Sequence, residues 1–384
     1  MKIQGVFVIL SWLLASAMLP GLAQAQGAPP TPACVPTAPQ AAQAVAPGPA
    51  AAPATGGRGA GAPEQTLAGR GAAAQPAPRN LNIPAIPGVV AGGGAWVKVW
   101  QGAGNSADGI LADKDGNALV AQEDYDAVLK IDQAGQTSVM VSGAKGVGSL
   151  SMDRQGRLYG AHRTERPGST KPDLASIVNA ITVLAPSRSA VATSWADRTT
   201  LSVRPNDLAA DGRGGAFFTS GCVYYASASG GVTVAADNLR TNGIIFGLDD
   251  TVLYVTNGGT GQTPGTIVAF DVTAPGTLTN RRTFATLSAG NGDGLAIDTQ
   301  GRLYVTSNPG VQVFDKAGTF LGLIPTPRGP ISTAFAGPDK KTLYIVGSGA
   351  ADANGQPIRQ GPQQTAATIY TLSMLAQGIQ GRAK

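Results

Sequence analysis

The sequence predicts an all-β protein, a six-bladed β-propeller preceded by a signal peptide and a disordered Ala/Pro/Gly-rich tail. From residue 95 onward, short runs rich in β-branched and aromatic residues alternate with Gly/Asp turns. No segment of helical length shows the 3.6-residue period of an amphipathic helix. One short unit also recurs six times, and internal repetition of this kind is the main sign of a propeller.

Each copy of the unit is an apolar strand, a turn rich in Asp and Gly, and a second strand that opens with bulky residues. The copies align on those bulky residues, which are Leu119, Tyr159, Phe217, Tyr254, Tyr304 and Tyr344. Their spacing of roughly 40 to 60 residues is typical of propeller blades. The longest spacing contains a polar insertion near residues 163–173, which we expect to form a surface loop. Residues 96–100 should pair with residues 368–372 and close the ring, which removes an open sheet edge.

Four segments follow from composition. Residues 1–25 carry Lys2, an apolar run and a small-x-small Ala-Gln-Ala ending, which indicates a secretory signal peptide rather than a membrane anchor. Residues 26–92 are rich in Ala, Pro and Gly and should form a disordered linker. The propeller should span residues 93–376, and residues 377–384 should be a flexible C-terminus. The chain should therefore be exported, to the periplasm or outside the cell, with no transmembrane segment after cleavage.

The counts of a few residue types exclude several classes of site. The chain has one His and two Cys, which rules out multi-His zinc sites and zinc ribbons. His162 has no partner motif, and we expect it on the surface or in a loop. Export would permit a disulfide between Cys34 and Cys222, but it would join the linker to a blade, and the pairing stays open. The net charge of +5 comes from scattered Lys and Arg, so we expect no nucleic-acid partner.

Counting back from each turn gives one matching position at the start of each innermost strand. In a propeller, the equivalent ends of these strands converge at one mouth of the central channel. Oxygen ligands without His or Cys suit a hard cation, Ca²⁺ best and Mg²⁺ second. Taken singly, Asp-Gly and Asn-Gly are ordinary turn dipeptides, but their shared phase favours a common polar site. The occupants of this position are Asp108, Gly148, Asn206, Asn242, Asp293 and Ser332.

These stretches resemble the SMP-30/gluconolactonase/LRE-like family of six-bladed propellers, over about residues 97–372. The matching motifs are RPND at 204–207, TNGI at 241–244, GDGLAID at 292–298 and STAFAGPD at 332–339. The resemblance implies a divalent metal, most plausibly Ca²⁺, with Mg²⁺, Zn²⁺ or Mn²⁺ as alternatives. The implied metal ligands are Asp108, Asn206, Asn242 and Asp293.

The resemblance also implies roles in catalysis and substrate binding. Asp293 would be the general base or nucleophile, Arg204 would bind substrate oxygen beside Asn206, and Ser332 would lie near the metal. The family's first-blade acid is usually Glu in a Glu-Gly-Pro pattern, whereas this sequence has Asp108-Gly109-Ile110. Asp is one methylene shorter, which puts direct coordination by this residue in doubt.

The favoured function is metal-dependent hydrolysis of a lactone or related carboxylic ester, a small-molecule substrate, at the channel mouth. The alternative is a non-catalytic exported propeller that binds a ligand or an envelope protein, because fold alone does not fix function. A strictosidine-synthase-like lyase is a third interpretation that no residue selects. The sequence does not identify the substrate or the oligomeric state.

Overall fold

The computed structural model describes residues 81–163, 179–184, 203–260, 262–352, 356, 358 and 366–380. Within these ranges the chain forms 21 β-strands and one turn of 3-10 helix at Glu123–Tyr125. The predicted all-β class is therefore confirmed. None of the described helical structure is long and apolar enough to cross a membrane. The predicted signal peptide, the linker as far as residue 80 and most of the polar insertion lie outside the described residues.

The strands follow one another along the six repeats. Strand β1 (Val97–Gly102) comes before the first repeat. The first two repeats contain β2 (Ile110–Ala112), β3 (Ala118–Gln122), β4 (Ala127–Ile131), β5 (Thr137–Ser142), β6 (Val147–Met152), β7 (Leu158–His162) and β8 (Ala180–Leu184). The middle two contain β9 (Leu208–Ala210), β10 (Ala216–Ala226), β11 (Val232–Phe246), β12 (Val252–Asn257), β13 (Thr266–Ala274) and β14 (Thr277–Thr286). The last two contain β15 (Leu295–Ile297), β16 (Leu303–Ser307), β17 (Gly310–Phe314), β18 (Phe320–Pro325), β19 (Gly329–Ala336), β20 (Thr342–Ser348) and β21 (Ala367–Ser373).

The strands form antiparallel sheets in a propeller-like arrangement. Three sheets have four strands each, in the orders β2-β3-β4-β5, β15-β16-β17-β18 and β1-β21-β20-β19. The second repeat gives the three-stranded sheet β6-β7-β8. The third and fourth repeats share one six-stranded sheet because the long strand β11 pairs with β10 near its start and with β12 near its end. The described residues therefore give five sheets for six repeats.

Six of the hairpin turns are built around an Asp side chain, in agreement with the repeated Asp/Gly motif. Oδ1 of Asp113 accepts the backbone N–H groups of Asp115 at 2.9 Å and Asn117 at 2.8 Å. Gly116, inside this turn, has a φ of 85°, a conformation that favours glycine. The same bonding to the second and fourth following residues recurs in five further turns, at Asp132, Asp153, Asp211, Asp298 and Asp315.

Apolar side chains fill the space between successive repeats. Six buried clusters occur in the described core, and each one combines strands of two neighbouring repeats. One of them joins the sixth repeat to the first, with Val346 packed in the same cluster as Val120. Burial at about 25 cal/mol per Å² makes these interfaces the main stabilising contribution.

Strand β1 pairs with the last strand of the chain, as predicted. It pairs antiparallel with β21, with Val97 opposite Thr371 and Gly102 opposite Ala367. The first strand in the chain thereby becomes the outer strand of the last sheet, and the expected pairing of residues 96–100 with residues 368–372 is confirmed.

The predicted linker and C-terminus extend too far. Ile83, Ile86 and Val89, which composition assigned to the linker, are buried in the cluster between the fifth and sixth repeats. The Val89 carbonyl also accepts the N–H of Leu375 at 3.0 Å. At the other end, Gly378 donates to the Lys340 carbonyl at 2.8 Å, so the start of the predicted flexible C-terminus is also ordered by hydrogen bonding. Apolar packing therefore begins about ten residues before residue 93.

The single histidine is buried, contrary to the expectation of a surface or loop position. His162 ends β7, where its Nδ1 lies 2.6 Å from the Lys145 carbonyl oxygen and its Nε2 lies 2.6 Å from Thr182 Oγ1. A carbonyl oxygen only accepts, so Nδ1 carries the proton and Nε2 accepts from the hydroxyl. Burial lowers the pKa of His162 below its ordinary 6.5. The ring is a neutral structural group.

Asp207, at the wall of the inner-strand cleft, connects three repeats. Its buried carboxylate accepts the Ser149 hydroxyl from the second repeat, the Leu208 N–H at 2.9 Å and the Ile244 N–H of β11 at 3.1 Å. A buried carboxylate bonded by several donors in this way is a structural group.

We predict that His162 makes stability fall in acid. The unfolded chain takes up a proton near pH 6.5 and the folded chain does not, so the free energy of unfolding decreases as pH falls through 6.5. His162→Gln should lack this component, and its difference from wild type should shrink between pH 8 and pH 5.5 in urea unfolding. NMR signals of the single His ring that titrate with a midpoint near 6.5 in the folded protein would contradict this.

We predict that Asp207→Ala destabilises the fold by about 3 kcal/mol, because several buried donors lose their acceptor. The measurement is the free energy of unfolding in urea. Asp237→Ala is the matched control, since within the described residues that exposed carboxylate accepts a hydrogen bond only from its neighbour Asn238, and should cost less than about 0.5 kcal/mol. Equal stability of the two variants would show that Asp207 has no such role.

Candidate functional site

One small cleft brings together five of the six residues predicted at the channel mouth. Asp108 and Asp293 lie two residues before β2 and β15, and Asn206 lies two residues before β9. Asn242 lies within β11 and Ser332 within β19. The cleft lining consists of Asp108, Gly109, Ser149, Asn206, Asp207, Asn242, Asp293, Gly294, Ile331 and Ser332.

The glycine that follows three of these polar residues allows neighbouring inner strands to touch. A Cβ on Gly109 would lie 2.7 Å from the Ser149 Cα, and one on Gly294 would lie 2.9 Å from the Ser332 Cα. A Cβ on Gly243 would overlap the Asp293 carbonyl oxygen. None of the three lies in a turn, so the interpretation of these pairs as turn dipeptides is wrong. Glycine is needed here because the backbones are in contact.

At the remaining repeat-aligned position, Gly148, the side chain of Arg163 fills the space beside the glycine. A methyl group on Gly148 would overlap the guanidinium of Arg163, which follows the end of β7. The second repeat therefore supplies a cation at the point where the other repeats supply their own polar side chain. The sequence alignment of the repeats did not predict this.

Arg163 is buried and contacts residues of three elements. Its Nη2 donates to Asp108 Oδ2 and lies 2.8 Å from Glu123 Oε2, and its Nη1 donates to Asn206 Oδ1 at 2.9 Å. Only 4% of the Arg163 side chain is exposed, so these bonds replace water almost completely. Among the described residues its Nε–H finds no acceptor. Nearby carboxylates, chiefly Asp108, hold the pKa of Arg163 above its usual value despite burial.

Glu123 links the two arginines of the site. Its Oε1 lies 3.1 Å from Arg204 Nη2, and its Oε2 contacts Arg163. Burial raises the pKa of Glu123, and the two arginines oppose this shift. The Arg204 side chain is about a third exposed, so it is anchored at Glu123 and still reaches solvent beside the cleft.

The side chains of Asn206 and Asn242 are linked by hydrogen bonds that run in one direction, from Arg163 through Asn206 to Asn242. Asn206 accepts from Arg163 at Oδ1 and donates from Nδ2 to Asn242 Oδ1. The backbone carbonyl of Asn242 in turn accepts the Thr219 hydroxyl, which fixes β11 against the third repeat. The Asn206 amide orientation is thus set by a cation on one side and an acceptor on the other.

The remaining two residues belong to the fifth and sixth repeats. The Asp293 N–H donates to the Thr306 carbonyl at 2.8 Å, and the next N–H, of Gly294, donates to Ile331 at 3.0 Å. Ser332 lies beside Gly294 and is buried. Within the described ranges, no three side chains of the His, Cys, Asp or Glu type form a metal-binding group. A metal at this cleft would therefore depend on carboxamide oxygens as well as carboxylates.

Sequence reasoning missed two residues of this site, Glu123 and Arg163. Both lie outside the repeat-aligned positions, directly after the second strands of their sheets, β3 and β7. The one signal was Gly148, because a repeat that lacks a side chain at the channel mouth leaves space for another group.

The chain is similar in sequence to a known protein family and to two characterised relatives. The SMP-30/Gluconolactonase/LRE-like region matches residues 127–349 of the chain. A lactonohydrolase from Aspergillus oryzae is 30% identical over 148 residues, which cover 33% of this chain and 32% of that protein. A gluconolactonase from Zymomonas mobilis is 31% identical over 118 residues, which cover 28% of this chain and 33% of that protein. The matches span about a third of each relative.

Solved structures show the same fold. A gluconolactonase from Xanthomonas campestris has a TM-score of 0.53 at 23% identity, covering 73% of this chain and 90% of its own. A calcium-binding regucalcin from Agrobacterium tumefaciens has a TM-score of 0.56 at 17% identity, covering 74% and 96%. The profile match covers more than half of the chain. The protein is therefore a member of the SMP-30/gluconolactonase/LRE-like family.

Proposed function

We propose that the protein hydrolyses a lactone or a related carboxylic ester at this cleft. The observation that carries the proposal is that the repeat-aligned positions alone bring two carboxylates, two carboxamides and a hydroxyl into one cleft. The lactonohydrolase and gluconolactonase relatives support the same reaction class. The substrate is a small molecule because the cleft is narrow and its lining is mostly polar.

Asp293 is the proposed general base or nucleophile. It either takes a proton from the attacking water or attacks the carbonyl carbon itself, with water then releasing the acid product. Arg204, anchored by Glu123, orients substrate oxygen through charge-assisted hydrogen bonds beside Asn206. Ser332 also lines the cleft and is a further proposed donor to the substrate.

The carboxylate and carboxamide oxygens of the cleft are the ligand types that a hard divalent cation prefers. Asp108, Asn206, Asn242 and Asp293 would hold it, and Ca²⁺ suits such mixed carboxylate and carboxamide ligands best. When bound, this cation supplies Lewis-acid polarisation of the ester carbonyl. The calcium-binding regucalcin shares only the fold with this chain, and we take the metal as part of the proposal.

Two further features complete the proposal. We interpret the six-stranded sheet as two blades that share β11, because six apolar interfaces join successive repeats into a closed ring of six. Residues 1–25 would direct export, with cleavage after Ala25, to the periplasm or the medium.

We predict that Asp293→Asn lowers lactone hydrolysis by at least about 100-fold, because the amide neither accepts a proton nor attacks a carbonyl. The measurement is kcat/KM on small aldonolactones. Asp339→Asn, an exposed turn residue, is the control and should keep wild-type activity. Wild-type turnover in Asp293→Asn would remove Asp293 from catalysis. An absence of turnover in the wild type itself would favour the non-catalytic binding propeller.

We also predict that EDTA abolishes turnover and that added Ca²⁺ restores it. The expected loss is large because carbonyl polarisation by the cation would disappear. Mg²⁺, Mn²⁺ and Zn²⁺ in the same assay establish the preference among metals. Full activity in EDTA would refute the metal while leaving lactone hydrolysis by Asp293 intact.

A further inference from the structure

The buried guanidinium of Arg163 lies on two of the four proposed metal ligands. It donates to the carboxylate of Asp108 and, at 2.9 Å, to the carboxamide oxygen of Asn206. Asp108 and Asn206 are therefore bonded to a cation that belongs to the protein itself. A divalent ion on the same oxygens would lie within a few ångströms of this positive charge.

That proximity has a large electrostatic effect. A unit positive charge about 5 Å from a divalent ion, in a site of effective dielectric about 20, weakens binding of that ion by up to about 10⁵-fold. Salt screens the effect little because Arg163 is almost fully buried. The guanidinium and a metal are consequently alternatives on Asp108 and Asn206.

The surroundings allow the guanidinium to leave these oxygens without losing every partner. Glu123, which is not among the proposed ligands, holds Arg163 from a third side at 2.8 Å. The Nε–H of Arg163 has no acceptor within the described part of the chain, so the position is not fully satisfied. The space that the guanidinium occupies exists only because residue 148 is glycine.

We propose that Arg163 is an internal cation that competes with the divalent metal for Asp108 and Asn206. The site then has two mutually exclusive states, one closed by the guanidinium and one occupied by the metal, with Glu123 retaining Arg163 in both. This inference rests on the proposed metal site. Its consequence is that the chain binds its metal more weakly than its oxygen ligands alone would.

The test is direct titration of the full chain with Ca²⁺ by isothermal calorimetry, which does not depend on turnover. Arg163→Met removes the charge and the donors while keeping an apolar stem of similar length, and should bind Ca²⁺ at least about 10-fold tighter than wild type. Gly148→Ala keeps the charge but removes its space, and should also tighten binding. Asp108→Asn combined with Arg163→Met should lose the gain, which places the tightened site at this cleft.

Two matched controls separate competition from general loosening of the fold. Arg302→Met removes another buried guanidinium, one bonded to Asp298 at 2.6 Å in a turn. Gly247→Ala adds a methyl group whose nearest contacts would lie at an ordinary 3.4 Å. Both should leave the Ca²⁺ affinity within about twofold of wild type, since neither touches the cleft.

The outcomes distinguish this inference from the proposed function. If wild type binds Ca²⁺ and Arg163→Met binds it equally or more weakly, the competition is refuted and the metal site stands. If neither protein binds Ca²⁺, Mg²⁺, Mn²⁺ or Zn²⁺, both the metal site and the competition are refuted. Tighter binding by both Arg163→Met and Gly148→Ala supports the competition.

Discussion

The site depends on one constraint, which is the close contact between neighbouring inner strands at one end of the repeats. There the Gly109 N–H donates to the Gly148 carbonyl, and the Gly294 N–H donates to Ile331, both at 3.0 Å. Backbones this close leave no room for a Cβ, so glycine follows the polar residue in three repeats. The preceding Asp or Asn is then directed at the same cleft as its counterparts. Threonines on the next strands reinforce the contact from the side. They are Thr219, Thr256 and Thr306, whose hydroxyls bond the inner strand of the following repeat.

Much of this architecture was predictable because it is encoded locally. Six hairpin turns use an Asp whose side chain bonds two backbone N–H groups, together with a glycine that accepts positive φ, and this pair is visible in the sequence. The shared phase of Asp108, Asn206, Asn242 and Asp293 was equally visible, and the structure brings them to one cleft. The pairing of β1 with β21 followed from an apolar strand placed before the first repeat. The chemistry of these four polar residues does not follow from their shared position in the repeats alone, because the same residues could bind a ligand without turning it over.

The features that sequence reasoning missed depend on tertiary contacts. Ile83, Ile86 and Val89 form a small apolar group, but composition over a wide window averaged them with the Ala/Pro/Gly-rich tail. His162 appeared to belong to a polar insertion, yet it ends a buried strand and satisfies both ring nitrogens there. Arg163 reaches the position of another residue of its own repeat, a substitution that an alignment by sequence position does not detect.

The guanidinium of Arg163 explains two unusual residues in the first two repeats, which are Asp108 where the family has Glu and Gly148 where the other repeats have a polar side chain. The resemblance leads one to expect Glu at 108, and the chain has the shorter Asp108. A glutamate would extend its carboxylate one methylene further, toward the space that the guanidinium of Arg163 occupies beside Asp108. A side chain at residue 148 would enter the same space, and glycine at that position leaves it open. Asp108, Gly148 and Arg163 therefore form one coupled unit, so restoring Glu at 108 alone would crowd the guanidinium rather than recreate the site that the family pattern implies.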